Sequence, residues 1–107
     1  MATPPESTKD SLRYRLVAHA RTRWPQITSL DVRYRGQFAY AQAQLADGTT
    51  PPLIRLRYNG SARHWGFGLY LASSDRYEDQ ILPNGLPIGS PEEALDTACG
   101  LYLDNPA

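Results

Sequence analysis

Four successive stretches of this chain alternate apolar and polar side chains with a period of two, and two of the joins between them are Asp47-Gly48 and Asn59-Gly60. A period of two belongs to a strand with one buried face, and Asp-Gly and Asn-Gly pairs supply the positive backbone angles of tight hairpin turns. In the first run Leu30, Val32 and Tyr34 alternate with Asp31, Arg33 and Arg35, and Gly36 then permits a turn. In the second, Ala39, Ala41, Ala43 and Leu45 oppose Phe38, Tyr40, Gln42 and Gln44. The third, from Leu53 to Tyr58, sets Ile54, Leu56 and Tyr58 against Arg55 and Arg57. Pro51 and Pro52 lack amide donors and mark its entrance or an exposed edge. The fourth, from His64 to Leu71, sets Trp65, Phe67, Leu69 and Leu71 against His64, Gly66, Gly68 and Tyr70. Short joins between consecutive strands predict an antiparallel meander.

The flanks carry a different period. Leu12, Leu16, Val17, Ala20 and Trp24 recur at helical spacing, Ser7, Thr8 or Asp10 can cap such a helix, and Pro25 ends it near Arg23. Arg13, Arg15, Arg21 and Thr22 then form a solvated basic face. After the meander, residues 72–89 read as a long loop with an acidic stretch, Ser73 to Gln80. Ser90, Pro91 and Glu93 next make a capping box with proline at the first helical position. The helix they open runs to about Leu103, with Ala94, Leu95, Ala98, Cys99 and Tyr102 as its buried stripe. The expected fold is α+β: a four-stranded antiparallel meander with one helix before it and one after, both on one face (α-β-β-β-β-α). Residues 1–10 are expected to form a flexible tail, and residues 11–105 a single domain.

At 107 residues, 41% of them hydrophobic, the chain can bury a core without disulfides or metal. No apolar run approaches the roughly 20 residues that span a bilayer, and Met1 to Asp10 has no apolar signal-like segment. The expectation is a cytoplasmic domain with no membrane partner. The single Cys99 can form no internal disulfide and reads as a packed thiol.

Charge is the most unusual property. Net charge is zero, yet residues 1–63 hold ten cations against four acids, and residues 64–107 hold one cation against seven acids. Such segregation permits a polyanionic partner or pairing between the two halves. If the strands alternate as expected, the face opposite the core presents Arg33, Arg35, Phe38, Tyr40, Gln42, Arg55, Arg57 and His64. Arginine forks hold phosphates and guanine edges, glutamine bridges adenine, and aromatic rings stack on unpaired bases, so DNA or RNA is one expected partner. A solvated face is the plain alternative.

The order helix, meander, helix is similar to that of the double-stranded-RNA-binding domain. That domain's last helix opens on a basic cluster, whereas this one opens on Glu92 and Glu93, an anionic end that repels phosphate, so its binding mode is not carried over.

Asp75, Glu78 and Asp79 lack the spacing of a calcium loop, and no phosphate loop, dinucleotide fingerprint, HExxH or paired CxxC occurs, so no metal, cofactor or catalytic residue is assigned. An enzyme would have to gather His64 with carboxylates of the 75–79 loop. The leading expectation is a non-catalytic module binding nucleic acid through the Arg/aromatic/Gln face. The competing one is a protein-interaction or regulatory module that binds an acidic partner or itself, through the same face or an edge beside Pro51 and Pro52. The position of the 75–79 acids separates the two: carboxylates folded back over the arginines favour a protein partner.

Overall fold

The computed structural model describes residues 3–103. Its order is helix α1 (Glu6–Arg23), strands β1 (Ile27–Arg35), β2 (Phe38–Leu45), β3 (Pro52–Tyr58), β4 (Trp65–Leu71), β5 (Arg76–Asp79) and β6 (Ile88–Gly89), then helix α2 (Pro91–Tyr102). Strands β1 to β5 form an antiparallel meander in sequence order, and β6 pairs with the first two residues of β4 on the edge that β5 occupies further along. The fold is therefore α+β as expected, with a fifth meander strand in place of part of the acidic loop. That strand is four residues long, polar and edge-placed, so it carries little alternation; Asp75, at φ 51°, turns the chain into it.

One sheet face and the two helices enclose the core. Leu12, Leu16, Ala20 and Trp24 of the α1 segment and Ala94, Leu95, Ala98 and Cys99 of α2 pack on Val32, Ala41, Ile54, Leu56, Trp65 and Phe67. Alanines at 39, 41 and 43, all buried, keep the β2 surface low enough for close helix approach. Leu53 is buried beside Ile54 because the β2–β3 register shifts between Ala41 and Gln42. This bulge breaks simple alternation at the start of β3. Burial pushes the Cys99 thiol up to about 12, which makes it a packing group rather than a nucleophile.

Helix α1 starts earlier than the expected tail allows, with Pro5 as an N-cap that lends no side-chain hydrogen bond. Helix α2 has the expected capping box: Ser90 Oγ accepts from the Glu93 amide and the Glu93 carboxylate accepts from the Ser90 amide. The end assigned to the domain, residue 105, lies outside the described residues. Strand β3 is interior, so Pro51 and Pro52 flank a strand entrance and no free edge lies beside them; the meander's outer strands are β1 and β5. Among the described residues no helix is long and apolar enough to cross a membrane.

The two helices run side by side in the same sense, joined by polar contacts between residues 77 apart in sequence. Arg15 donates from Nε and Nη2 to both Glu92 carboxylate oxygens at 2.8 and 2.6 Å. One helical turn further, Asp96 Oδ1 lies 2.8 Å from His19 Nε2 and accepts at 2.8 Å from the buried Trp24 indole N–H. Partial burial acts to raise the Glu92 carboxyl, but the Arg15 fork outweighs it and holds the group below its ordinary value. Arg15 thus belongs, with His19, to an interhelical seam and not to the solvated basic face.

Candidate functional site

The sheet face turned away from the helices is organised by cross-strand register. One row runs Arg35, Phe38, Arg57, Gly66, Ile88 from β1 to β6. The next runs Arg33, Tyr40, Arg55, Gly68, Asp79 from β1 to β5. Gln42 opposes Asp31, and Tyr70 opposes Tyr77, one step further along the strands. Seven of the eight residues expected on this face are therefore together on it. His64 is the exception: β4 begins at Trp65, and His64 is exposed just before it.

The glycines determine how the arginines lie. A Cβ on Gly66 would stand 3.1 Å from Arg57 Nε, and one on Gly68 would stand 3.4 Å from Arg55 Nε and 3.1 Å from the Glu78 carbonyl oxygen. Both guanidinium stems thus pass closely over bare backbone on β4. Beyond it they meet one carboxylate. Arg55 Nη2 donates to Asp79 Oδ1 at 2.9 Å, and Arg57 Nη2 lies 3.8 Å from Asp79 Oδ2.

Beside this triad is an aromatic cluster. Tyr40 and Tyr77 meet edge to face at 5.2 Å although they belong to strands β2 and β5, and Tyr70 meets Tyr77 in the same way at 5.4 Å. Phe38 lies 6.2 Å from Tyr40 and carries the Arg55 guanidinium 4.9 Å over its ring. Phe38, Tyr40, Tyr70 and Tyr77 are all partly buried. Burial, with Tyr40 and Tyr70 alongside, raises the Tyr77 hydroxyl. The Tyr70 hydroxyl donates to Asp75, which raises its pKa as well. Contacts between side chains two or three strands apart give this face a small second packing layer instead of a row of extended side chains.

The carboxylates of the former loop are committed to these partners: Asp75 to Tyr70, Glu78 to Arg76, and Asp79 to Arg55 and Arg57. No hydrogen bond or ion pair joins them to His64, and among the described residues no three His, Cys, Asp or Glu side chains gather as a metal site. Sequence reading raised the 75–79 acids as a cover for the arginines but did not place Tyr77 or Asp79 on a strand of the face. The available signal was Arg76-Tyr77-Glu78-Asp79 itself, a charged run with one aromatic beyond a turn, but nothing in a four-residue polar run fixes its register. Comparison of the chain with protein-family models, curated proteins and solved structures finds no match.

Proposed function

We propose that this domain is a non-catalytic protein-interaction module whose contact surface is the outer sheet face centred on Tyr40 and Arg55. The observation that carries the reading is the Asp79 carboxylate between Arg55 and Arg57. A nucleic-acid backbone laid on this face would meet that fixed negative charge, and the arginine forks would have to leave it before holding phosphate. The tyrosine rings are turned edge to face on one another, so they do not form an open platform for stacking bases.

Protein recognition places different demands on a surface. Interface energy concentrates in pre-packed tyrosine and arginine side chains that lose little freedom on binding, and this face holds tyrosines packed edge to face beside Arg55, which is stacked on Phe38 and paired with Asp79. Arg35, and Arg33 beside its own Asp31 partner at 2.8 Å, are exposed at the β1 end and would favour acidic groups at the rim of the partner.

A photo-crosslinking residue placed at Tyr40 identifies what contacts the face in a lysate of the source cells. The captured protein, once purified, should bind the wild-type domain and lose at least about tenfold in affinity to Tyr40→Ala. In parallel, the domain is titrated with short fluorescent single-stranded and duplex DNA and RNA across a salt series. Salt-sensitive binding that disappears in the Arg55→Ala/Arg57→Ala double variant would overturn the proposal in favour of nucleic acid.

A further inference from the structure

The outer edge of β1 leaves backbone groups without a strand partner, and the register identifies them. Ala43 N–H donates to the Pro51 carbonyl at 3.0 Å and Tyr58 N–H donates to the Gln37 carbonyl at 2.8 Å, so the odd-numbered residues of β2 direct their backbone groups toward β3. The even-numbered residues, Phe38 to Gln44, therefore face β1, where they pair with Arg35, Arg33, Asp31 and Ser29. It follows that Leu30, Val32 and Tyr34 turn their N–H and C=O groups outward. Among the described residues no hydrogen bond reaches these groups. An edge strand of this length is ordinarily protected by proline, charged side chains, a covering segment or a bulge along its course, and of these β1 has the charged side chains Asp31, Arg33 and Arg35. Here the one register shift lies at the start, between Ile27 and Ser29.

The chemistry on both sides of the edge is also specific. On the helix side, a groove between α1 and β1 has Val17, Ala20, Ile27 and Leu30 as apolar lining, with Arg13 and Arg21 beside them. On the outer side, Arg33 and Arg35 are exposed, Arg33 pairing with Asp31 at 2.8 Å, and a shallow hollow is lined by both arginines, Tyr34 and Tyr40. A strand added here would send successive side chains alternately into the apolar groove and toward Arg33 and Arg35. We infer that the β1 edge receives an extended segment of a partner protein in which acidic and aliphatic residues alternate, aliphatic side chains in the groove and carboxylates on the arginines.

A second copy of the chain, paired edge to edge about a two-fold axis, is the other obvious occupant. It would set two α1 helices bearing Arg13 and Arg21 on one side of the joint sheet and offer only Asp31 to Arg33 and Arg35, so an acidic segment complements this edge better. This edge is a different surface from the Tyr40/Arg55 face, and each can fail without the other.

The test is a titration of the 15N-labelled domain with an alternating Glu-Val peptide of about eight residues, a usual strand length, and with its Lys-Val counterpart. Binding of the Glu-Val peptide should shift and protect the Leu30, Val32 and Tyr34 amides. Arg33→Glu/Arg35→Glu should weaken it by at least about tenfold, and the Lys-Val peptide should not bind. Val32→Pro removes one outward donor and leaves the β1–β2 ladder whole, so it should abolish binding. If that variant does not fold, Arg13→Glu/Arg21→Glu, confined to an exposed helix surface, tests the same edge by a several-fold loss. No shift at millimolar Glu-Val peptide, equal binding of both peptides, or shifts confined to Tyr40 and Tyr77 would each overturn the inference. Concentration-dependent shifts of the β1 amides without peptide would also overturn it and assign the edge to a second copy.

Discussion

Two clusters join the basic first part of the chain to its acidic second part, and they do so with different results. Between the helices, Arg15 meets Glu92, while His19 and Trp24 converge on Asp96. On the sheet, Arg55 and Arg57 converge on Asp79. The helical seam includes the indole donor of a buried tryptophan, so its acceptor is part of the fold. In the sheet triad Asp79 is more than half exposed, and either arginine can exchange it for water or for another carboxylate. Equal-looking ion pairs therefore differ by what surrounds them: one fastens two elements, the other sets the charge that a visitor meets.

The largest expected effect separates the two clusters directly. Asp96→Ala leaves the Trp24 indole N–H buried without an acceptor and should cost about 2 kcal/mol, read as a lower urea midpoint at unchanged slope. An Asp96→Ala variant as stable as wild type would make the seam as dispensable as a surface pair.

Next in size are the glycines under the arginines. In Gly68→Ala the new methyl meets the Glu78 carbonyl, which cannot move without shifting β5, so a loss of about 1–2 kcal/mol is expected. In Gly66→Ala the new methyl meets Arg57 Nε and Nη2, which can swing into solvent, and Arg57 Cβ at 3.2 Å, which must give by a few tenths of an ångström, so a loss of about 1 kcal/mol is expected. The reverse order would mean that Arg57, and not the β5 backbone, is the fixed neighbour.

The pH dependence of stability has a sign that follows from burial. Tyr34 is pushed up to about 12 by burial, and its hydroxyl donates to the Lys9 carbonyl. Cys99 is raised by burial to the same value. Both native pKa values exceed the ordinary ones of 10.0 and 9.0, so the stability these groups contribute is complete below pH 9 and is lost as pH climbs toward 12. For Glu92, held below its ordinary 4.5, the contribution is present above that pH and lost on acidification. Urea midpoints measured across pH should form a plateau that Tyr34→Phe extends on its alkaline side.

The smallest stability effect belongs to Asp79→Asn, within about 0.5 kcal/mol of wild type. Its surface effect should nevertheless be clear: with the carboxylate gone, retention on a heparin column should increase. Unchanged retention would mean that Asp79 does not mask the arginines.

Much of the fold was legible because it depends on one-dimensional patterns. Alternation located β1 to β4 and their buried rows, and Ser90-Pro91-Glu93 located the start of α2. Where a pattern was short or interrupted, the reading was incomplete. Leu53 was missed because a bulge lets two adjacent residues be buried, and β5 because four polar residues show no period. The beginning of α1 was displaced because Pro5 caps it without a side-chain bond. The candidate face was legible strand by strand, but its organisation was not. Arg55 and Asp79 lie 24 residues apart, and only the pairing of β3 with β4 and of β4 with β5 places them in one row. Likewise, Gly66 and Gly68 read as gaps in a strand until their register shows that arginines lie over them.

The interhelical seam has a consequence for the order in which the molecule can assemble. The strands of the meander find one another across short turns, whereas α1 meets its polar partners on α2 across 77 residues of chain. A growing polypeptide would thus carry Arg15 and His19 of its first helix without their acidic partners until α2 has been synthesised. Local strand pairing is expected to form the folding nucleus, and docking of α1 with α2 to be the late, slow event that completes the native state.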